Sequence, residues 1–182
     1  MNVFIATSSS KIIDPKYLTL ARKASKFLTK RNLDLVFGAA SYSMMGECYH
    51  AFAEEGRDIE AFTVEKYKDD LKELPKAHTH LVNDTLVRFK WMYNISDIIL
   101  ILPGGIGTIA EFASALEEYR SEDKKKLILL YNYEGFYDEI IKWLGSAKNL
   151  GFISGELFDD FKIVNNLEEL KIYVDEFMNE IN

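Results

Sequence analysis

The stretch Ile98-Ile99-Leu100-Ile101-Leu102-Pro103-Gly104-Gly105-Ile106-Gly107-Thr108 reads as an apolar strand, a glycine turn and the start of a helix. Its apolar run has no in/out alternation, which suits a parallel strand covered on both faces. Glycines let the backbone turn sharply and let a ligand approach the main chain. A helix after such a turn points unpaired N–H groups and its positive dipole end into it, making an anion site. Ligands of open α/β sheets sit at the carboxyl ends of strands. Gly104, Gly105, Gly107 and Thr108 are therefore the candidate phosphate-binding residues. The following helix is expected over Thr108–Tyr119, with Ile109, Phe112, Ala113 and Leu116 as its buried stripe.

The same alternation extends in both directions. Apolar runs at Val3–Ala6, Leu33–Phe37, Ile59–Thr63 and Leu127–Tyr131 read as further buried strands. Others are read at Lys162–Val164 and near His80–Val82. Amphipathic stretches at Tyr17–Thr29, Met45–Glu55, Thr85–Ile95, Phe136–Leu144 and Leu167–Met178 read as helices. This is the pattern of a doubly wound α/β fold with a mainly parallel central sheet. No repeat or linker divides it, so residues 1–182 are read as a single domain. Residues 65–79 read as an exposed connection and Lys124–Lys126 as a solvated charge run.

The bulk properties narrow the function. The chain has 182 residues, 48% hydrophobic, with a formal net charge of −7. That balance disfavours general binding of nucleic acid or of an anionic membrane, both of which need a basic surface. No apolar run approaches the roughly 20 residues that span a bilayer. The N-terminal run lacks the basic flank of a signal peptide. The single cysteine, Cys48, excludes an internal disulfide and a thiolate metal cluster. A cytoplasmic location is expected. His78-Thr79-His80 is read as two exposed loop histidines, with no metal site.

Two charged residues stand out. Glu111 is read on the side of its helix opposite the apolar stripe. It either caps the helix in a Thr108-x-x-Glu111 box or serves the site. Arg88 lies in Leu86-Val87-Arg88-Phe89-Lys90-Trp91-Met92-Tyr93, a helix apolar nearly all round that is expected to be buried on two sides or at a subunit interface. A charge there needs a partner, such as a phosphate or Glu111, unless it snorkels from the helix edge. Ser8, Ser9 and Ser10 follow the first strand and either bind ligand or satisfy the turn. Met44 and Met45 are core or base-binding. Tyr17, Tyr42 and Trp91 are candidate stacking rings.

Arg88-x-x-x-Met92 together with the string Pro103-Gly104-Gly105-Ile106-Gly107-Thr108-x-x-Glu111 resembles the LOG family, the cytokinin riboside 5′-monophosphate phosphoribohydrolases, often labelled lysine decarboxylases. Phe37-Gly38-Ala39-Ala40-Ser41-Tyr42-Ser43-Met44-Met45-Gly46 is similar to the family's second glycine turn. Gly135-Phe136-Tyr137-Asp138 and Gly151-Phe152-Ile153 are similar to its later segments. The resemblance implies a Rossmann-like fold, a homodimer, and hydrolysis of a nucleoside 5′-monophosphate to free base and ribose 5-phosphate, without cofactor or metal. It implies that Arg88 and Glu111 are the catalytic pair and that the glycine turn with Thr108 holds the phosphate. Ser8, Ser9, Gly38, Met45 and Met92 become possible substrate contacts.

The chain departs from the family at Phe89, where a Lys is usual, and at Ala39 and Ala40, where glycines are usual. Lys90 sits one place further, about 100° around the helix, and does not substitute. On this reading Glu111 stabilises positive charge on the ribose or activates water, with Arg88 lowering its pKa. Two other readings stand beside it. One is a non-catalytic nucleotide-binding or carrier protein on the same fold. The other is a dinucleotide-dependent oxidoreductase, using Gly105-x-Gly107-x-x-Ala110 as fingerprint and Glu134 as its acid. Lysine decarboxylation is rejected, because no motif presents a Lys for a Schiff base.

Overall fold

The structure is a computed structural model that describes residues 1–121, 125–153 and 157–181. Seven strands form one parallel sheet among the described residues: β1 (Asn2–Ala6), β2 (Asp34–Phe37), β3 (Ile59–Val64), β4 (His78–Val82), β5 (Ile98–Ile101), β6 (Leu127–Tyr131) and β7 (Lys162–Val164). Their order is β4-β3-β2-β1-β5-β6-β7. The helices are α1 (Pro15–Thr29), α2 (Ser43–Glu54), α3 (Thr85–Asn94), α4 (Ile106–Ser121), α5 (Asp138–Asn149) and α6 (Leu167–Ile181). The chain winds outward from β1 to β4, then returns to β5 beside β1 and winds the other way. That reversal puts the switch point of a doubly wound fold between β1 and β5.

The period of two along each strand feeds two cores. Val3 and Ile5 of β1, and Ile98 and Leu100 of β5, face one layer with α1, α2 and α6. Phe4 and Ala6, and Ile99 and Ile101, face the other with α3, α4 and α5. Every residue of β5 is buried, so its apolar run lacks alternation for the expected reason.

Helix starts follow local chemistry. Asp14 accepts a hydrogen bond from the Lys16 N–H at 2.9 Å, with Pro15 as the first residue of α1. Asp84 accepts from the Val87 N–H at 2.8 Å and opens α3. The far end of α3 is held by Lys126. Its ammonium is buried and donates to the carbonyls of Tyr93 (3.0 Å) and Ser96 (2.5 Å). A cation is favourable at a helix C-terminus. This corrects the solvated-run expectation for Lys126. Lys125 is exposed and pairs with Glu180, and Lys124 lies outside the described residues.

Two further expectations change. His78 and His80 lie on the edge strand β4 and not in a loop. His80 stacks on Phe62 at 4.3 Å and pairs with Glu60. Among the described residues no three potential metal ligands cluster. Residues Glu65–Glu73 form an exposed 3-10 stretch in what was read as plain connection. Among the described residues no helix is long and apolar enough to cross a membrane.

Because Asp84 starts the helix that carries Arg88, its loss tests the positioning of the site. Asp84→Ala is expected to lower unfolding stability by about 1 kcal/mol, seen as a lower urea midpoint at unchanged slope.

Candidate active site

The turns after β1, β2 and β5 and the 3-10 stretch after β3 surround a cleft of about 420 Å³ at the carboxyl ends of the strands. That volume lies in the usual range for small-molecule sites. Gly105, Gly107, Thr108 and Glu111 line one end, with Arg88 beside them. Thr7 to Ser10, Gly38 to Ala40, Tyr42 and Met45 line the middle, and Tyr67 and Asp70 the other end.

The glycines of the main turn have different roles. A Cβ on Gly104 would fall 2.1 Å from Thr108 Oγ1, so only glycine lets Thr108 fold back over the turn. A Cβ on Gly105 or Gly107 would meet nothing within 4 Å. Those two glycines face open cleft, where a ligand can reach the backbone. Helix α4 begins at Ile106, so the free N–H groups of its first turn lie beside that space. Gly104 is not among the lining residues and acts from behind the turn.

Neighbouring side chains hold the turn. Thr7 Oγ1 donates to the Pro103 carbonyl at 3.1 Å and ties the β1 turn to the β5 turn. The Tyr137 hydroxyl donates to the Leu102 carbonyl at 2.7 Å, and the Gly104 N–H points at that hydroxyl oxygen. Asn132 fixes Tyr137 in turn: its Oδ1 accepts from the Tyr137 N–H at 2.7 Å, and its Nδ2 donates to Asp138 Oδ1 at 2.8 Å. Sequence reasoning matched the Gly135–Asp138 segment without a role. Its aromatic–acid pair after a glycine was the available signal, but only the packing shows that Tyr137 reaches the phosphate turn.

Glu111 overturns the reading of its helix. The buried residues of α4 are Thr108, Glu111, Phe112, Ala115 and Leu116, while Ala113 is exposed. The buried arc therefore includes Glu111 and excludes Ala113. Hydrophobicity alone placed the stripe, and the cleft-facing polar residues moved its centre. The helix also starts two residues before Thr108, so Thr108 is inside it and the capping-box alternative fails. The Glu111 carboxylate instead accepts from Arg88 Nη2 at 3.3 Å.

This pair is largely buried, with side-chain exposures of 18% for Arg88 and 9% for Glu111. Burial pushes the Glu111 carboxyl up to about 7, against the lowering by Arg88. The expectation of a depressed pKa is therefore reversed: desolvation outweighs the adjacent cation. Arg88 Nε is buried without an acceptor. The guanidinium is not snorkelling, and its Nη1 lies toward Gly38 on the cleft.

The remaining candidates separate. Met45 lines the cleft beside Gly38, whereas Met44 is core. Met92 is fully buried in the second core, outside the cleft lining, so packing and not substrate occupies it. Ser8 and Ser9 line the cleft. The Ser8 hydroxyl also accepts from the Ser10 N–H at 3.0 Å, and its carbonyl accepts from the Met45 N–H. Tyr42 is the one stacking candidate on the cleft. Tyr17 packs against Tyr133 and Phe136, and Trp91 is half exposed on the outer face of α3. Phe89 is core, and Lys90 pairs with Glu118 outside the cleft. Glu134, the acid of the oxidoreductase reading, pairs with Lys16 at 2.5 Å and does not line the cleft. Tyr67 and Asp70 were missed, because a charged connection gave no sign of facing a cavity.

A family model described as "Possible lysine decarboxylase" matches residues 45–174. The chain belongs to this family, the LOG family. The cytokinin riboside 5′-monophosphate phosphoribohydrolase LOG of Oryza sativa subsp. japonica is 26% identical over 179 residues, covering 98% of this chain and 74% of that protein. A cytokinin riboside 5′-monophosphate phosphoribohydrolase of Rhodococcoides fascians is 30% identical over 146 residues, covering 76% and 71%. Among solved structures, the molybdenum cofactor carrier protein of Chlamydomonas reinhardtii superposes with a TM-score of 0.71 at 16% identity over 98% of both chains. A molybdenum cofactor binding protein of Rippkaea orientalis gives 0.67 at 16% over 97% and 95%. These structures share the fold.

Tyr137→Phe removes one hydroxyl and leaves the Leu102 carbonyl and the Gly104 N–H short of a partner. It is expected to lower stability by about 1–3 kcal/mol. Calorimetric titration should show ribose 5-phosphate binding weakened several-fold.

Proposed function

We propose that the protein hydrolyses the N-glycosidic bond of a nucleoside 5′-monophosphate, yielding free base and ribose 5-phosphate. The observation that carries this is the buried Arg88–Glu111 pair one helical turn above an open glycine turn, all on one cleft. From Thr108 to Glu111 the helix rises about 4.5 Å, on the scale that separates a 5′-phosphate from its ribose. The names of the Oryza and Rhodococcoides relatives point to the same substrate class.

Cleavage of the bond builds positive charge on the ribose ring. The phosphate, held by the backbone around Gly105 and Gly107 and by Thr108, positions C1′ near Glu111. A carboxyl titrating near 7 is ionised in good part at neutral pH and is suited to a general base. It draws a proton from water as the oxygen joins C1′. The bonding pair leaves with the base nitrogen, which takes up a proton. Arg88 orients the carboxylate.

A second reading, a non-catalytic carrier on the same cleft, is favoured by the β2 turn. Ala39 holds a left-handed conformation (φ 61°) that favours glycine, and it and Ala40 carry Cβ atoms where the LOG-family turn usually has glycine. The solved neighbours are named as molybdenum cofactor carrier and binding proteins.

Release of free base from a panel of nucleoside monophosphates tests the two. Wild type is expected to release base, and Glu111→Ala to lose at least about 100-fold in rate. Binding with no release from any substrate would select the carrier.

The pH profile follows from the raised pKa. The ionised form of Glu111 is required, so kcat/KM should rise with pH through about 7. Arg88→Gln removes the lowering cation and should move that limb to higher pH. The sign for stability is opposite. The native state of the free protein holds the Glu111 proton to higher pH than the unfolded chain. The carboxyl's contribution to stability is present below about 4.5 and lost as pH rises through about 7.

A homodimer is proposed through α3. Its outer face exposes Leu86 (76%) and Trp91 (54%), and an apolar groove runs from it to α4. Exposed apolar patches of this kind mark interaction surfaces. Sedimentation should show a dimer that Leu86→Asp with Trp91→Asp converts to a monomer. A cytoplasmic location is proposed as well: Cys48 is free and buried, consistent with a reducing compartment.

A further inference from the structure

Four strand ends meet the cleft in the order β3, β2, β1, β5. Adjacent strands stand about 4.8 Å apart, so the 3-10 stretch after β3 lies roughly 14 Å from the phosphate turn after β5. A nucleoside monophosphate anchored at Gly105 and Thr108, with C1′ beside Glu111, extends its base toward β2 and β3. That end of the cleft is lined by Tyr42, Tyr67 and Asp70.

These three side chains form one cluster. Tyr67 stands at a kink in the 3-10 stretch, and both it and Asp70 line the cleft. The Asp70 carboxylate lies near enough to the Tyr42 hydroxyl to help raise its pKa, after burial. Tyr67 is 45% exposed and Tyr42 is only partly buried; Lys11 stands over one face of Tyr42 at 4.4 Å and Lys66 over one face of Tyr67 at 5.0 Å, which leaves a ligand the opposite faces. Asp70 and Glu111 are the two acids on the cleft, at opposite ends. Glu111 has Arg88, whereas Asp70 forms no ion pair among the described residues; the cations at its end, Lys11 and Lys66, stand over the Tyr42 and Tyr67 rings.

We propose that Asp70 reads the pairing edge of guanine between the rings of Tyr42 and Tyr67, making guanosine 5′-monophosphate the preferred substrate. This rests on the hydrolase reading of the same cleft. A carboxylate accepts hydrogen bonds and donates none. Guanine presents two adjacent donors, N1–H and the 2-amino group, which satisfy both carboxylate oxygens. Adenine and cytosine present one amino donor next to a ring nitrogen whose lone pair faces the second oxygen. Hypoxanthine and uracil offer a single ring N–H. A site built on paired hydrogen bonds rejects bases that leave one unmade.

The test compares wild type with Asp70→Asn, measuring calorimetric affinity and base release for guanosine, adenosine, cytidine, uridine, inosine and xanthosine 5′-monophosphates. Wild type is expected to favour the guanine nucleotide by about 100-fold over the adenine and cytosine nucleotides. The amide of Asp70→Asn offers one donor and one acceptor. It should lose that preference and gain the xanthine nucleotide, whose 2-keto oxygen accepts while N1–H donates. A gain of this kind also shows that the variant is folded. Equal or higher affinity for adenine or cytosine nucleotides in wild type, or a guanine preference that survives in Asp70→Asn, overturns the proposal. Base release without guanine preference would refute the base assignment and leave the hydrolase standing. Guanine-selective binding that Asp70→Asn switches to xanthine, with no release, would do the reverse. Binding of none of the six overturns both.

Discussion

A strand in a parallel sheet must be covered on both faces, and this constraint organises the molecule. Each strand of the sheet's centre sends alternate side chains into two separate cores. Helices must then return the chain along both faces, and every strand ends at the same edge. Where the winding reverses between β1 and β5, the helices that follow those strands diverge to opposite faces and leave a crevice. The cleft is a consequence of burying the strands. Thr7 and Tyr137 then fix the turns on its rim by hydrogen bonds to the Pro103 and Leu102 carbonyls.

The charge placed in that crevice is held from several directions. Removing a carboxylate from water carries a desolvation cost of several kcal/mol. Glu111 is offset only in part by one hydrogen bond of 3.3 Å to Arg88. The balance leaves its carboxyl near 7, close to neutrality. Strong perturbation of a group in a cleft is a mark of functional sites. The partner is held through its helix: Asp84 caps one end of α3 and the buried Lys126 the other. Between them, Phe89, Met92 and Tyr93 press the helix onto the sheet and turn Arg88 toward α4. The opposite face of α3 stays apolar and exposed.

The strands and helices were legible because local pattern and tertiary demand agree there. Uninterrupted apolar runs became the buried strands, and Asp14-Pro15 and Asp84 became helix starts. Legibility failed where a polar residue was buried for a tertiary reason. Glu111 was placed on the wrong side of α4, since a periodicity argument treats every carboxylate as outward-facing. Lys126 looked like part of a solvated run for the same reason. Its two carbonyl acceptors come from residues about 30 positions earlier. Met92 was grouped with the site by its spacing from Arg88. One turn of helix separates the cleft-facing arginine from a methionine in the core.

The chain by itself determined the architecture and the glycine turn after β5. Those follow from short-range patterns: strand burial, glycine spacing and helix capping act over a few residues. Tertiary structure alone decided how the groups meet. It brought Arg88 within hydrogen-bond distance of a carboxylate 23 positions away. It set the Tyr137 hydroxyl under the glycine turn, and it turned Tyr67 and Asp70 of a charged connection toward the cleft. A side chain's pKa and its partners depend on what surrounds it in space. That environment is assembled from strands and helices spread along the chain and is not contained in any one segment.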